Sequence, residues 1–351
     1  MAVAEAIQNH RPDIKLDFVG SVNGFERPLV EQSGVRFDSR HEVRSGQVHG
    51  VSLPKRLVSL AMIALGTVQS LRLLRQLRPG ALLLTGGFVG LPVALAAWLL
   101  RVPSLIYLPD VEPGLAIRVL QRFAHKVAIT VPDSARYFPP GKTVVTGYPL
   151  RAMMHRASRE QGIAHFGLDP ERRTLLVFGG SRGARSINQA LQAILPQVLE
   201  AGIQVIHITG TLDWPQVEAA RNALPDATHY HAFPYLHGDM AEAFAAADLV
   251  VSRAGASTLG EFPAFALPAI LVPYPYAWRY QKVNADYLAE RGAAIVMNDA
   301  DLPEKLWPAI RDLYQDPARL ERMRAASAQL AEKDSAWRVG RELLRLAGEH
   351  A

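Results

Sequence analysis

The 351-residue chain contains no cysteine, which excludes a disulfide framework and any thiolate metal centre and leaves nothing that points to an oxidising compartment. It also lacks the cationic start and apolar core of a secretory signal, since the opening MAVAEAIQNHRPDIK is mixed throughout. A spanning segment is not read either. The uncharged apolar stretch Phe88–Leu100 is broken by Pro92 and falls short of the roughly 20 residues a membrane helix needs, so the expectation is a chain that does not cross a bilayer. Repetitive and polar low-complexity tracts are missing. With 49% hydrophobic and 20% charged residues, the composition is that of a folded protein. Basic residues are scattered, with no stripe of interleaved Lys, Arg and aromatics, so nucleic acid is not the expected partner. The net charge of +5 nonetheless favours anionic partners such as phosphorylated small molecules or acidic lipid headgroups.

What the chain does have is alternation. Short β-branched runs bounded by Gly or Pro alternate with longer helical patterns, the signature of βαβ units and parallel sheets. Strands are predicted near Lys15–Val19, Ala81–Thr85, Ser104–Tyr107, Lys126–Ile129 and Thr143–Thr146. The pattern restarts at Arg173–Phe178 and continues near Gln204–Thr209, His229–Phe233, Leu249–Ser252, Ala269–Val272 and Ala294–Val296. This predicts an α/β protein of two Rossmann-like domains, 1–149 and 150–332, facing across a cleft, with 333–351 a C-terminal helix able to pack back on the first domain. The opening is anomalous for such a fold. Met1–Asn9 already reads as helix and Lys15–Val19 as second strand, so the first domain reads as truncated, its opening strand and glycine loop expected before Met1.

Three segments carry chemistry. In Val177-Phe178-Gly179-Gly180-Ser181-Arg182-Gly183-Ala184 a strand runs through glycines into the helix Arg185–Leu195. Glycines let backbone approach a diphosphate, whose charge meets free N–H groups and the positive end of the helix dipole; the same glycines would also serve a tight βα turn. A dinucleotide fingerprint does not fit, because Phe178 takes the place of its first glycine. Next, Ser252-Arg253-Ala254-Gly255-Ala256-Ser257-Thr258-Leu259-Gly260-Glu261 sets small residues and hydroxyls at a helix start, with a carboxylate able to accept both hydroxyls of a ribose. Pro263 fits that helix if its regular turns begin near Leu259. Finally, the proline-stiffened loop Val272–Tyr280 delivers Gln281 and Asn284 to one helix face. Amides there suit sugar hydroxyls, or serve simply to cap the helix. All three segments follow strands, where open parallel sheets bind ligands.

These residues resemble the MurG glycosyltransferases. Gly179–Ala184 is similar to that family's G-G-S-Q-G-A, Ser252–Glu261 to S-R-x-G-A-x-T-x-x-E, and Gln281–Ala285 to Q-x-x-N-A. Thr85–Gly90 resembles G-G-[FY]-V, and Gly147–Arg151 the G-N-P-[VI]-R hinge. The resemblance implies a GT-B fold and an inverting transfer of N-acetylglucosamine from UDP-N-acetylglucosamine to a polyprenyl-diphosphate-linked acceptor (lipid I to lipid II), with no essential metal and no cofactor. It assigns the ribose to Glu261, the diphosphate to Ser181 with Gly180 and Gly183, the sugar to Gln281 and Asn284, and the uracil to Leu236 through its backbone. Arg151, Asn188, Met240, Gly255, Ala256, Ser257 and Thr258 join the donor site, and Gly86 and Gly87 the acceptor side.

The departures from the pattern bear on the acceptor. The family's G-G-T-G-G-H loop, with its proposed catalytic His, would precede Met1. Its H-E-Q-N segment appears as Tyr107-Leu108-Pro109-Asp110, so that Asp110 stands for the Asn and is the acid available as base; a turn Asp is the plainer reading. Arg182 replaces the loop Gln and Tyr148 the hinge Asn. Leu57–Leu74, with Met62 and Leu65 and flanked by Lys55, Arg56, Arg72, Arg75 and Arg78, suits either an amphipathic element on an anionic membrane or a helix covering the sheet. The expected address is the cytoplasm, peripheral on the inner membrane face. Rival readings are a transferase with another glycolipid acceptor and a UDP-sugar-binding protein without catalysis.

Overall fold

The computed structural model describes residues 1–22, 30, 31, 33–46, 53–87, 90–180, 183–236, 238–276 and 280–349, with the side chains of 53–56 left aside. The chain forms two compact units, Met1–Ala152 with Lys333–Ala351, and Met153–Glu332.

In the first unit, strands β3 (Leu82–Leu84), β4 (Ser104–Leu108), β5 (Lys126–Ile129) and β6 (Thr143–Val145) make a parallel sheet in that order. β4 is buried along its whole length, which is why it reads as a continuous apolar run rather than an alternating one. Its side chains divide between two cores. Ile106 and Leu108 pack with Val93 and Ala94 of helix α3 (Gly90–Leu100) and with Ile117 and Leu120 of α4 (Leu115–Leu120). Leu105 and Tyr107 pack with Val3 and Ile7 of α1 (Ala2–His10) and Val339 of α13 (Ser335–Leu346). The C-terminal helix is thus part of the first unit. Its Gly340 lets Ile7 approach to where a Cβ would stand 2.9 Å from Ile7 Cγ1, and Trp337 stacks on His10 at 4.1 Å.

Two further strands, β1 (Asp17–Ser21) and β2 (Ser39–Val43), pair in parallel as a separate sheet. Among the described residues no strand joins β1 to β3. The sequence reading did not anticipate β2, whose Arg40, His41 and Glu42 give it no apolar run.

Helix α2 (Leu53–Leu77) is longer than predicted, and its stretch Leu57–Leu77 is long and apolar enough to cross a membrane by length and composition alone. The sequence reading weighed Phe88–Leu100 for that role instead. One face of α2 is spent on packing. Leu74 meets Ala96 and Ala97 of α3, Ile63 and Ser70 are buried, and a Cβ on Gly66 would stand 1.9 Å from the Arg44 carbonyl. The other face exposes Leu57, Val58, Leu65 and Val68, with Met62 half-buried.

The second unit holds a six-stranded parallel sheet. Its strands are β7 (Arg173–Phe178), β8 (Ile203–Ile208), β9 (Tyr230–Phe233), β10 (Leu249–Ser252), β11 (Ala269–Leu271) and β12 (Ala294–Val296), in the spatial order β9-β8-β7-β10-β11-β12. Counted within the unit this is 3-2-1-4-5-6, the Rossmann order. One face is covered by Ile187, Leu191, Ile194 and Val198 of α6 (Arg185–Glu200) and by Leu306, Ile310 and Leu313 of α11 (Leu302–Gln315). Phe178, Phe244 and Phe262 form an edge-to-face cluster with centroids 5.8–6.2 Å apart.

Candidate functional site

In Rossmann order the topological switch point lies between β7 and β10, where chains leave the sheet in opposite directions and open a crevice at the carboxyl ends. The glycine loop follows β7 and the Ser-Arg-Ala-Gly segment follows β10, so the two strongest motifs flank that point.

The glycines of the first loop have separate reasons. A Cβ on Gly179 would sit 2.1 Å from Ala184 N, and one on Gly183 2.4 Å from Thr209 O. The first is demanded by the turn itself, as the tight-turn reading has it, and the second by the close approach of the chain that follows β8. Gly180 differs, since its φ of 87° requires glycine yet none of the described residues comes within 4 Å of where its Cβ would be. Among those residues it leaves open space beside backbone at the start of a 16-residue helix, whose first N–H groups have no intrahelical partners. Ser181 and Arg182 lie outside the described residues.

After β10, Thr258 is buried and its hydroxyl donates to Gly255 O at 2.7 Å, closing the turn Gly255-Ala256-Ser257 into α9 (Thr258–Ala264). Glu261 sits in the first turn of α9, half-buried. Burial pushes its carboxyl above the usual range, against a hydrogen bond from Ser257 that lowers it. Pro263 is the sixth residue of α9, not in the first turn as the sequence suggested; the helix ends one residue later at Ala264, which limits the backbone bonding that Pro interrupts.

The amides predicted for the sugar also brace the site. Asn284, fully buried on α10 (Tyr280–Glu290), donates to Ala254 O at 3.2 Å. Gln281 accepts from Tyr274 N at 2.8 Å and so ties down the proline loop. Leu236 is buried in the loop after β9, and Met240 is half-buried at the start of α8 (Met240–Ala246).

Asn188 sits deeper than a ligand contact needs. Its Nδ2 donates to Thr209 O at 2.8 Å and Asp213 Oδ2 at 2.9 Å, and its Oδ1 lies 3.0 Å from His207 Nε2. His207 Nδ1 in turn lies 2.7 Å from the Tyr230 hydroxyl, and Arg185 Nε donates to Asp213 at 3.0 Å. Burial holds His207 neutral, with its pKa lowered to about 3. This buried network carries the glycine loop from behind, through Thr209 and Gly183.

In the first unit, Gly86 and Gly87 end β3 with φ of 93° and 77°, and Asp110 follows β4, half-buried. They share the carboxyl edge of neighbouring strands. Next to them Tyr107 OH lies 2.8 Å from Thr130 Oγ1, and the buried Glu112 accepts from Arg118 at 2.8 Å. Arg151 donates to Ser33 O at 2.7 Å and stands 3.5 Å from Glu5. In the sequence Arg253 stands out only as part of a motif and Asp299 not at all, although the two pair and Arg253 also reaches Ser186 at 2.9 Å. The Ser-Arg at a strand end was a signal; Asp299, distant in sequence, had none.

Parallel sheets in both units, the Rossmann order of the second and a glycine turn at its switch point are features of the GT-B fold. Residues 1–129 match the glycosyltransferase family 28 N-terminal domain and residues 174–339 the family 28 C-terminal domain. A protein of Roseiflexus sp. (strain RS-1) is 42% identical, the match covering 92% of this chain and 81% of that one. One of Desulforudis audaxviator is 38% identical, covering 95% and 90%. Both are named UDP-N-acetylglucosamine–N-acetylmuramyl-(pentapeptide) pyrophosphoryl-undecaprenol N-acetylglucosamine transferase. The crystal structure of Acinetobacter baumannii MurG aligns with a TM-score of 0.75 at 25% identity, over 98% of this chain and 94% of that one. The chain belongs to the MurG family of glycosyltransferases.

Proposed function

We propose that this chain transfers N-acetylglucosamine from UDP-N-acetylglucosamine to a polyprenyl-diphosphate-linked N-acetylmuramyl acceptor, lipid I to lipid II, with inversion at the anomeric carbon. The observation that carries the reading is the pair of loops at the switch point of the second unit, one a glycine turn and the other leading to Glu261. The names of the relatives supply the donor and acceptor classes.

In this reading Glu261 accepts from the ribose hydroxyls, and Leu236 offers its backbone to the uracil beside Met240. The turn from Gly180 to Gly183, with Ser181, cradles the diphosphate, and Gly255, Ala256, Ser257 and Thr258 line the other side. Gln281 faces the sugar, Asn284 and Asn188, both buried, support their loops from inside, and the family resemblance assigns Arg151 to the donor. An acceptor hydroxyl oxygen bonds to the anomeric carbon from the face opposite UDP. The bond from that carbon to the β-phosphate oxygen breaks, UDP leaves with the electron pair, and the hydroxyl proton passes to a base, for which Asp110 is the candidate. N–H groups of the glycine turn and the α6 dipole take up the leaving charge, so the reading calls for no metal or cofactor. Gly86 and Gly87 serve the acceptor. The exposed Leu57, Val58, Leu65 and Val68 face of α2 rests on an anionic inner leaflet, which makes the chain a cytoplasmic peripheral protein.

The test is transfer itself. Radiolabelled UDP-N-acetylglucosamine and a polyprenyl-diphosphate N-acetylmuramyl acceptor are incubated with the purified chain, and label is expected in the lipid phase together with released UDP. UDP binding without transfer to this acceptor, but with transfer to another glycolipid, would favour the second reading that Tyr107–Asp110 suggests.

A further inference from the structure

The guanidinium of Arg253 reaches the segments that follow three neighbouring strands, β12, β11 and β7, which with β10 are consecutive in the sheet. Arg253 itself follows β10. One Nη donates to Val272 O at 3.1 Å, at the end of β11, and pairs with Asp299 Oδ1, in the 3-10 turn after β12. The other donates at 2.9 Å to Ser186 Oγ, in the first turn of α6 after the β7 loop. Ser186 Oγ donates at 3.0 Å to the same Asp299 oxygen, and the guanidinium lies 5.2 Å from the centre of the Tyr274 ring in the proline loop.

The Arg253 side chain is 10% exposed and Asp299 26%. A planar fork so enclosed has little freedom to turn toward a ligand, and its charge is already met by a carboxylate. Each of the three ligand loops has its own turn chemistry, yet only this cluster connects all three among the described residues, through Ser186, Arg253 and Val272 with Tyr274. Without the fork, Asn284 would still tie the ribose and sugar segments through Ala254, but the segment after β7 would lose its link to both.

We propose that Arg253 and Asp299 are positioning residues that hold the diphosphate loop, the ribose loop and the sugar loop in one arrangement before any ligand arrives. The proposal rests on the donor-site reading above and adds to it that one ion pair, contacting none of the donor, joins the three loops beforehand. A direct phosphate contact by Arg253 is the competing role, and uridine separates the two because it carries no phosphate.

The experiment uses the full chain and two conservative variants, Arg253→Lys and Asp299→Asn. Calorimetry with UDP and with uridine is expected to show affinity for both ligands falling about tenfold in each variant, with the double variant no worse than twofold beyond the weaker single. In the ligand-free protein, hydrogen exchange of Asp299→Asn is expected to rise together in 183–188, 253–260 and 271–276. Should Arg253→Lys weaken UDP alone while Asp299→Asn changes neither ligand, Arg253 is a phosphate contact and the proposal is overturned. Exchange rising only around residue 299, or affinities unchanged in both variants, overturns it equally. If wild-type chain binds neither UDP nor uridine, the donor-site reading is the part that fails and the proposal goes with it; coupled exchange across the three segments would then remain as a property of the fold alone.

Discussion

The carboxyl-end loops of the two sheets are built differently. In the second unit every loop at the switch point is tied to a neighbour. Gly183 lies against Thr209, Asn284 holds Ala254, Gln281 holds Tyr274, and Arg253 reaches Ser186, Val272 and Asp299. In the first unit, among the described residues, the strands fall into two sheets without pairing between β1 and β3, and none of those residues lies within 4 Å of a Cβ at Gly87. A site that must recognise a fixed nucleotide benefits from such preorganisation, since ordering loops on binding costs affinity. In the proposed reading donor recognition is therefore written into packing, while the acceptor edge would carry its chemistry in a few side chains, Asp110 foremost.

That contrast breaks most sharply at Asp110. Asp110→Asn removes the base of the proposed reaction, and transfer is expected to fall roughly 100-fold or more while UDP affinity stays within about twofold. Single-turnover transfer beside calorimetry checks both halves. Transfer at the wild-type rate would remove Asp110 from the chemistry and leave the first unit with no assigned base.

On the other side of the comparison stands Glu261→Ala. Loss of charge-assisted bonds to the ribose is expected to cost about 2–3 kcal/mol, roughly 30- to 150-fold in the Kd for UDP. Burial raises the Glu261 pKa, so in the free protein the carboxyl is neutral at low pH and gains its charge as pH rises through that raised value. An ionised acceptor is what the ribose needs. UDP affinity should accordingly fall as pH drops through it, and the Glu261→Ala profile should be flat there. A wild-type profile parallel to that of the variant would mean the carboxylate does not touch the nucleotide.

How far these features could be read from residues differs in the same way. Strands buried along their length, such as Ser104–Leu108 and Thr174–Val177 within Arg173–Phe178, announce themselves as apolar runs, because both faces are covered. Ser39–Val43 stayed hidden because an edge strand with one side wet keeps Arg40, His41 and Glu42. The glycine loop was legible as a turn, but only coordinates separate Gly179 and Gly183, which close contacts demand, from Gly180, which meets none of the described residues. The role of Asp299 was illegible, since nothing local marks a carboxylate whose partner lies 46 residues away. Asn188 carried a family likeness in sequence, and its burial among His207, Thr209 and Asp213 shows where its hydrogen bonds go.

The two glycines allow a smaller test. Gly183→Ala puts a methyl 2.4 Å from the Thr209 carbonyl at φ 75°, an overlap added to a left-handed strain of about 1–2 kcal/mol. A fall of several degrees in the melting of the second unit is expected, at roughly 2–4 °C per kcal/mol. Gly180→Ala meets no atom of the described residues and carries the strain, so its Tm should drop less while UDP binding suffers more. Equal thermal losses with equal affinities would show that the loop is a turn and nothing further.

The smallest effect concerns the network behind that loop. His207 is fully buried and its pKa is lowered from 6.5 to about 3, because its ring is desolvated between Asn188 and Tyr230. The folded state thus refuses a proton that the unfolded chain accepts below 6.5. Stability is present in full above that value and is lost as pH falls from 6.5 toward 3, with a slope approaching about 1.4 kcal/mol per pH unit from this residue. Urea unfolding at pH 7 and pH 5, compared with His207→Gln, isolates it. The variant should be less stable at pH 7, where its amide fits the network less well, and should lose less on acidification. An identical acid slope in the two proteins would mean that His207 takes up its proton in the folded state, and the rigid support inferred for the glycine loop would have to be sought elsewhere in the second unit.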